Sequence, residues 1–370
     1  MKCAFLVGTI PGFFSACIEA LADLPGVEVL LLGVAPQKAA PFDMEEVTPR
    51  NTVVRTWSSI PTAAESLAAV NEFAPDVIIV SGWQIKAYRH VAKALSGRCL
   101  RVVLMDNQWF GTPKQLLGVA TSRFYLHPLF DIAFLPGRNQ EVFAKKLGFD
   151  DHQIWRGAYS CDLPRFLHAG ESVPVRGRKR CFIFVGRLVP AKGLDILAEA
   201  YSQYRRSVDE PWDLEIYGTG QLSSLFDDID GATLHGFVQP RDLPLAYATS
   251  GCFVMPSRFE PWGAVIQEAA AARLPVICTT VCGAAPHLVE DSVSGYLVEA
   301  ENVEALAKAF RRISSLDPDE LDHMSEMSVL LAQRYSPQIW ASTFEKRMLD
   351  ILEHQHQRDP QPSQSDRPKQ

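Results

Sequence analysis

With 370 residues, 47% of them hydrophobic and 21% charged, the chain has a globular composition and enough length for two domains. A net charge of −7 argues against a general nucleic-acid binder, which is normally basic. The eight cysteines include no C-x-x-C, and Cys278 and Cys282 have no His/Cys pair beside them; this argues against zinc and for small core side chains in a reducing compartment.

The first expected strand is residues 3–7. Lys2 and the apolar stretch to Cys17 faintly imitate a signal peptide, but Gly8, Pro11 and Gly12 break the run, so a strand and a turn are the preferred reading. No apolar stretch approaches the roughly 20 residues that span a bilayer. Further strands are expected at residues 27–32, 77–80, 102–105 and 132–135, with helical patterns at 86–95 and 140–147. Strands this short and continuously apolar, separated by helices, predict a parallel sheet covered on both faces.

A joint is expected between Cys161 and Cys181, where prolines, glycines and the basic run 176–180 interrupt the pattern. A second α/β series follows, with strands at 181–185, 214–217, 233–235, 252–255, 276–279 and 295–298 and helical stretches at 193–204 and 265–273. Two successive series predict two doubly wound domains with a cleft between them. A helical stretch runs from Asn302 to Ile313, and another from Pro337 through Trp340 to Leu352. The remainder is rich in Gln, Pro, Asp and Ser and is expected to be disordered.

The chemistry concentrates in the second series. Arg187 and Lys192 lie between Gly186 and Gly193 in a turn that follows a strand and opens a helix. Solvated surface charge is the plain alternative, and the post-strand position favours a role on an anion. Gly218 and Gly220 form a lone G-x-G, which permits close backbone approach or simply a turn. Glu260 sits in a Pro/Gly turn, and Glu268, with seven residues between, sits in the Ala-rich run that follows. A turn opening into a helix presents free N–H groups, here those of Gly263, Ala264 and Val265. Two carboxylates beside an anion-binding helix start suit a ligand with both phosphates and sugar hydroxyls, a nucleotide sugar.

In chain order, residues 184–193 resemble the "GR…KG" turn of retaining glycosyltransferases of the GT-B fold, family 4 (group 1). Residues 215–220 are similar to that family's "GxG" turn, and residues 260–268 to its "E-x7-E" signature. His235-Gly236-Phe237-Val238, Met255-Pro256-Ser257, residues 272–277 and residues 291–298 fall in the family's order. The resemblance covers roughly residues 181 to 310; the first half shares only the α/β pattern and a glycine turn.

The resemblance implies an α/β protein of two Rossmann-like doubly wound domains facing across a cleft, with a C-terminal helix crossing back to the first. The expected boundaries are 1–165 with the returning helix 337–352 for the acceptor domain, 166–336 for the donor domain, and 353–370 for a disordered tail. It also implies that Arg187 and Lys192 contact the donor phosphates, Glu260 the donor sugar and Glu268 the ribose. Phe237 and Val238 take the position that holds the base, and Gly218, Gly220, Gly263, Ala264 and Val265 complete the donor site. First-domain candidates are Gly8, Gly12, Asp106 and Asn107. The turn at Gly8–Gly12 lacks G-x-G-x-x-G, against a NAD-type site.

Three departures stand out. Residues 103–109 lack the His that many relatives carry after a first-domain strand; Asp106 or Asn107 is the candidate to replace it, Asp106 as an ordinary loop residue is the alternative, and His127 is a nearby candidate. His287 stands where the family usually has an acid, and Trp262 where it has Phe. No D-x-D motif occurs in a suitable place, so neither a metal nor another cofactor is expected. The expected activity is a retaining, metal-independent hexosyl transfer from a nucleotide-diphosphate sugar to a glycan or lipid-linked saccharide. A surface-polysaccharide setting in the cytoplasm is expected, and no nucleic-acid partner. The basic helical pattern at 86–98 reads first as an ordinary surface helix and second as a peripheral contact with anionic lipid at the inner membrane face. The competing readings are a nucleotide-sugar epimerase of the same fold and a non-catalytic nucleotide-sugar binding module.

Overall fold

The computed structural model of the protein describes residues 1–10, 12–35 and 42–358. Among the described residues, the first domain holds seven strands: β1 (Lys2–Thr9), β2 (Glu28–Val34), β3 (Val53–Trp57), β4 (Val77–Ser81), β5 (Leu100–Leu104), β6 (Ile132–Leu135) and β7 (Ile154–Arg156). The second holds six: β8 (Cys181–Val185), β9 (Asp213–Tyr217), β10 (Ala232–Gly236), β11 (Cys252–Met255), β12 (Val276–Thr279) and β13 (Gly295–Val298). Every pairing is parallel. The orders are β3-β2-β1-β4-β5-β6-β7 and β10-β9-β8-β11-β12-β13. This is the expected pair of Rossmann-like doubly wound domains, the GT-B arrangement.

The central strands are largely apolar because helices cover both faces. One face of the first sheet packs Leu6, Ile78, Val80 and Val103 against Tyr88, Val91 and Phe143 of the helices Lys86–Ala94 and Arg138–Lys146. The other packs Phe5, Val7, Ile79 and Phe134 against Phe14 and Ile18 of the helix Gly12–Ala22. The last helix, Pro337–Arg358, joins this second core through Trp340, Phe344 and Met348. Burying each of these side chains contributes roughly 1.5–3 kcal/mol before ordering entropy. Trp340 also donates from Nε1 to the Ala158 carbonyl at 3.0 Å, so the burial satisfies its polar handle.

Two local expectations change. The segment expected as a joint contains the helix Leu163–Ser172, with Pro164 tolerated in its first turn, where no intrahelical donor is lost. The last helix continues to Arg358, past the expected end at 352, since no proline occurs between 338 and 358 and Glu, His and Gln propagate a helix. Residues 359–370 of the expected tail, and Pro11 of the first glycine turn, lie outside the described residues. All eight cysteines are free thiols.

Candidate functional site

In both sheets the strand order reverses beside the first strand, between β1 and β4 and between β8 and β11. Loops leaving the carboxyl ends of such strands diverge and leave a crevice at the reversal. The two crevices form one cleft of about 1030 Å³. Thr9, Ile10 and Gly12 line it after β1, Gly186 and Arg187 after β8, Tyr217 and Gly218 after β9, and Phe237 and Val238 after β10. Glu260 and the start of the helix Ala264–Ala271 close it after β11.

The structure brings Lys192 and Glu260 into direct contact. The Lys192 ammonium donates to Glu260 Oε2, and both side chains are largely buried, at 15% and 10% exposure. Arg187 is exposed on the same wall and makes no ion pair among the described residues. Gly263 begins the helix Ala264–Ala271 at φ 95°, a left-handed conformation that disfavours a Cβ. The sharp turn places Glu260 against the helix start, with the Glu260 side chain only 3.1 Å from where a Gly263 Cβ would stand. A cation pair, a carboxylate and a helix N-terminus therefore share one wall.

Glu268 lies one turn further into the same helix and also lines the cleft. It is 8% exposed, and burial pushes its carboxyl up to about 7, while a hydrogen bond from the Tyr247 hydroxyl at 3.3 Å opposes the shift. Nearby Asp162 adds to the rise. A carboxyl with this environment takes up a second hydroxyl donor readily, since its charged form is under-solvated.

Gly218 is held by close packing: a Cβ there would fall 1.9 Å from the Gly186 carbonyl oxygen. The expected G-x-G thus packs the β9 turn onto the β8 turn that carries Arg187. Gly220 does not line the cleft; it backs onto Leu188, whose carbonyl would lie 2.3 Å from a Cβ. Tyr217 lines the cleft stacked on His235, with ring centroids 4.3 Å apart. Phe237 meets Phe42 of the first domain edge-on at 5.5 Å. Beside it, Arg241 reaches across to Asp43 at 3.0 Å and Glu46 at 2.7 Å.

Of the first-domain candidates, Gly12 lines the cleft and Gly8 does not; the Gly8 N–H donates to Ser81 Oγ at 3.1 Å inside the sheet edge. Asp106 and Asn107 are half-buried in the loop after β5 and do not line the cleft. The Asp106 carboxyl is raised by burial, with a smaller push from the Glu260 charge. His127 is structural, bonded from Nε2 to the Leu147 carbonyl oxygen at 2.8 Å and stacked on Phe149.

Sequence reasoning missed Gln108 and Gln140. Gln108, buried in the first domain, donates from Nε2 to the carbonyls of Glu260 at 3.1 Å, Val281 at 3.1 Å and Pro261 at 3.4 Å. Gln140 donates to the Pro261 carbonyl at 2.5 Å. From its own domain, the turn receives the Gly283 N–H at Glu260 and the Ala284 N–H at Trp262. Backbone carbonyls over 100 residues away leave no mark on a sequence, so nothing along the chain marked Gln108 or Gln140. We expect Gln108→Ala to lower turnover by about tenfold or more, because a displaced reacting group is costly, while nucleotide affinity stays within about twofold. Steady-state kinetics beside nucleotide titration checks this; unchanged turnover rules out a positioning role.

His287 is not in the cleft either. Its Nε2 accepts the Arg138 backbone N–H at 3.1 Å from the first domain, and Nδ1 meets the Tyr335 hydroxyl at 2.9 Å. Burial, then the charges of Arg138 and Arg334, hold the ring below its usual range, which keeps Nε2 an acceptor. The substitution at this position therefore acts on the domain contact.

Residues 170–328 match the family "Glycosyl transferases group 1". The chain is 27% identical over 161 residues to an uncharacterized glycosyltransferase of Haemophilus influenzae, covering 42% of this chain and 45% of that one. It is 35% identical over 147 residues to the GDP-mannose-dependent alpha-(1-6)-phosphatidylinositol monomannoside mannosyltransferase of Mycobacterium tuberculosis, covering 36% and 38%. The chain spans less than half the length of each of these curated relatives. Across nearly its whole length it shares the fold of Anabaena HepE, solved in complex with UDP, with a TM-score of 0.71 at 18% identity over 95% of this chain and 100% of that one. A Rickettsia africae glycosyltransferase gives a TM-score of 0.73 at 14% identity over 95% and 98%. The second domain thus resembles the group 1 glycosyl transferases in sequence, and the whole chain has the GT-B fold.

Proposed function

We propose that the protein is a retaining glycosyltransferase that moves a hexose from a nucleotide-diphosphate sugar to a hydroxyl of a glycan or lipid-linked saccharide. The convergence of Arg187, Lys192, Glu260, Glu268 and the start of the helix Ala264–Ala271 on one cleft wall carries this reading. As the bond between the anomeric carbon and the diphosphate oxygen breaks, negative charge grows on the leaving diphosphate. Arg187, Lys192 and the N–H groups of Ala264 and Val265 stabilise that charge where it develops. Glu260 holds the sugar, and Glu268 accepts from the ribose hydroxyls. The base lies at the backbone of Phe237 and Val238. The acceptor oxygen bonds to the anomeric carbon on the face that the diphosphate leaves, and its proton passes to the diphosphate oxygen.

The first domain completes the site through Gln108 and Gln140 on the Glu260 turn. Gln140 Oε1 and Trp262 Nε1 are buried there without partners among the described residues. Each such group costs roughly 1–3 kcal/mol, which suits a closed state that must reopen to release product. Eight free cysteines fit a reducing, cytoplasmic setting, and no described helix is long and apolar enough to cross a membrane.

A thermal-shift panel of UDP, GDP, ADP and their sugars tests the donor site. One nucleoside diphosphate at about 100 times its Kd is expected to stabilise the protein by about 2.7 kcal/mol, a rise of a few degrees in Tm. If none of them moves Tm, the reading fails. NMR of the product's anomeric configuration then tests retention.

A further inference from the structure

The helix Pro113–Tyr125, which follows β5, turns its apolar side away from the protein. Ser122 is its only buried residue, while Phe124 is 81% exposed, Leu117 66% and Leu116 55%. Leu116, Leu117, Ala120 and Phe124 recur at i, i+1, i+4 and i+8, so they form one outward stripe. Lys114 and Arg123 border it on either side. A core-facing helix shows the opposite pattern, and isolated exposed apolar residues do not align this way.

The charge around the stripe is as one-sided as the stripe is apolar. Between Ser81 and Phe130 the chain carries seven Lys/Arg and one acid, Asp106, within a protein of net charge −7. Arg101 is buried in β5 and paired with Asp131, which leaves six for this side of the domain. The neighbouring helix Lys86–Ala94 packs on the same face of the first sheet and brings Arg89 beside Tyr125 of the exposed helix. Lys86, Lys93, Arg98, Lys114 and Arg123 are exposed, and none pairs with a carboxylate among the described residues. Elsewhere on the surface, cations such as Arg55, Arg180 and Arg241 do pair. An apolar stripe flanked by unpaired cations is the pattern of a helix lying in an interface of acyl chains and anionic headgroups.

The stripe also leads to the cleft. Phe110, 49% exposed and just before the helix, packs on Phe259 at 5.6 Å, and Phe259 precedes Glu260. We propose that the helix Pro113–Tyr125, with the basic helix Lys86–Ala94 beside it, docks the first domain on an anionic lipid surface. This rests on the reading above only in its purpose: docking there presents the cleft mouth to an acceptor whose lipid anchor stays in the bilayer. The acyl region takes Leu116, Leu117 and Phe124, and the headgroup phosphates meet Lys114, Arg123, Lys86 and Lys93.

Co-sedimentation with vesicles tests the proposal. One set is phosphatidylcholine alone; the other is phosphatidylcholine and phosphatidylglycerol in equal parts. The full chain is expected to sediment with the anionic vesicles at low salt, and about tenfold or more weakly with the neutral ones. Phe124→Glu, a change on an exposed face, is expected to lower the anionic binding by about tenfold or more, and Lys114→Glu with Arg123→Glu to remove its salt dependence. Nucleotide thermal shifts on the same variants keep the two readings apart, because the donor wall is untouched. No sedimentation of the wild type, or equal sedimentation of Phe124→Glu, overturns the proposal. So does a concentration-dependent dimer, abolished by Phe124→Glu, from a protein that ignores vesicles; the stripe is then an interface between two copies of the chain.

Discussion

Lys192→Ala is expected to lower turnover by about 10²–10³-fold, the usual cost of removing one charge-stabilising donor from a preorganised site. It should also destabilise the fold, since the partner Glu260 is 8% exposed. Breaking a buried pair from one side costs about 3–5 kcal/mol, most of it from the stranded charge. The two effects separate in a double variant. Lys192→Ala with Glu260→Gln leaves no unpaired charge, so denaturant unfolding should return most of the lost stability. Turnover should not return, because both the diphosphate cation and the sugar contact are gone. A double variant as active as the wild type sinks the proposed role of this pair. Recovery of activity along with stability would mean that Lys192 only neutralises Glu260.

That pair was half legible in the sequence. The chain showed a cation in a post-strand turn and a carboxylate in a Pro/Gly turn, 68 residues apart, each on an element of clear type. Both strands concerned, β8 and β11, are buried on both faces, which forces a short, continuously apolar run. The edge strands of the first sheet, β3 and β7, lack that signature. β3 reads VVRTW, with Val53 53% exposed, and β7 has only three residues, so neither stood out. The helix Pro113–Tyr125 was hidden for a related reason. Leu116, Leu117, Ala120 and Phe124 share a helical stripe, but that stripe faces outward. Val119 and Tyr125 reach the core and only Ser122 is fully buried, so the core-facing side carries little apolar signal. In the helix Leu163–Ser172, Pro164 and Gly170 imitated a linker. Gly170 is there because a side chain would strike the Ala272 backbone at 2.7 Å, a contact invisible along the chain.

The clamp from the first domain was not legible at all, and this has a physical basis. Gln108 and Gln140 act on carbonyl groups, which every residue possesses, so nothing in the partner's identity marks the contact. The missing first-domain histidine drew attention to Asp106 and Asn107. The structure moves it one residue on, to the side chain that holds the Glu260 turn. A loop without the family's usual residue still reaches the turn that carries the opposite domain's carboxylate.

Glu268→Gln is expected to make the protein more stable and less able to bind its donor. Burial lifts the Glu268 carboxyl from its ordinary 4.5 to about 7. Between those values the unfolded chain has released a proton that the folded protein still holds. Stability from this group is therefore complete below pH 4.5 and falls as pH rises to about 7. The loss by pH 8 is on the order of 3 kcal/mol. Glutamine removes the loss and can still accept the Tyr247 hydroxyl, so the variant's Tm should exceed the wild type's at pH 8 and approach it below pH 4.5. Ribose hydroxyls, by contrast, bond more strongly to a carboxylate than to an amide, and losing a charged acceptor costs about 1.5–3 kcal/mol. Nucleoside diphosphate affinity should then fall by about 10–100-fold. In the wild type, binding should tighten and release a proton as pH rises through 7; in the variant only the titration of the nucleotide's own terminal phosphate should remain. Calorimetric titration in buffers of different ionisation enthalpy reads both the affinity and the proton. Equal affinity in variant and wild type would remove Glu268 from the ribose, and parallel Tm–pH curves would show that its burial is not what the folded state resists. If both expectations hold, the fold keeps a destabilising carboxylate because the donor, once bound, supplies the hydrogen bonds that the buried wall withholds.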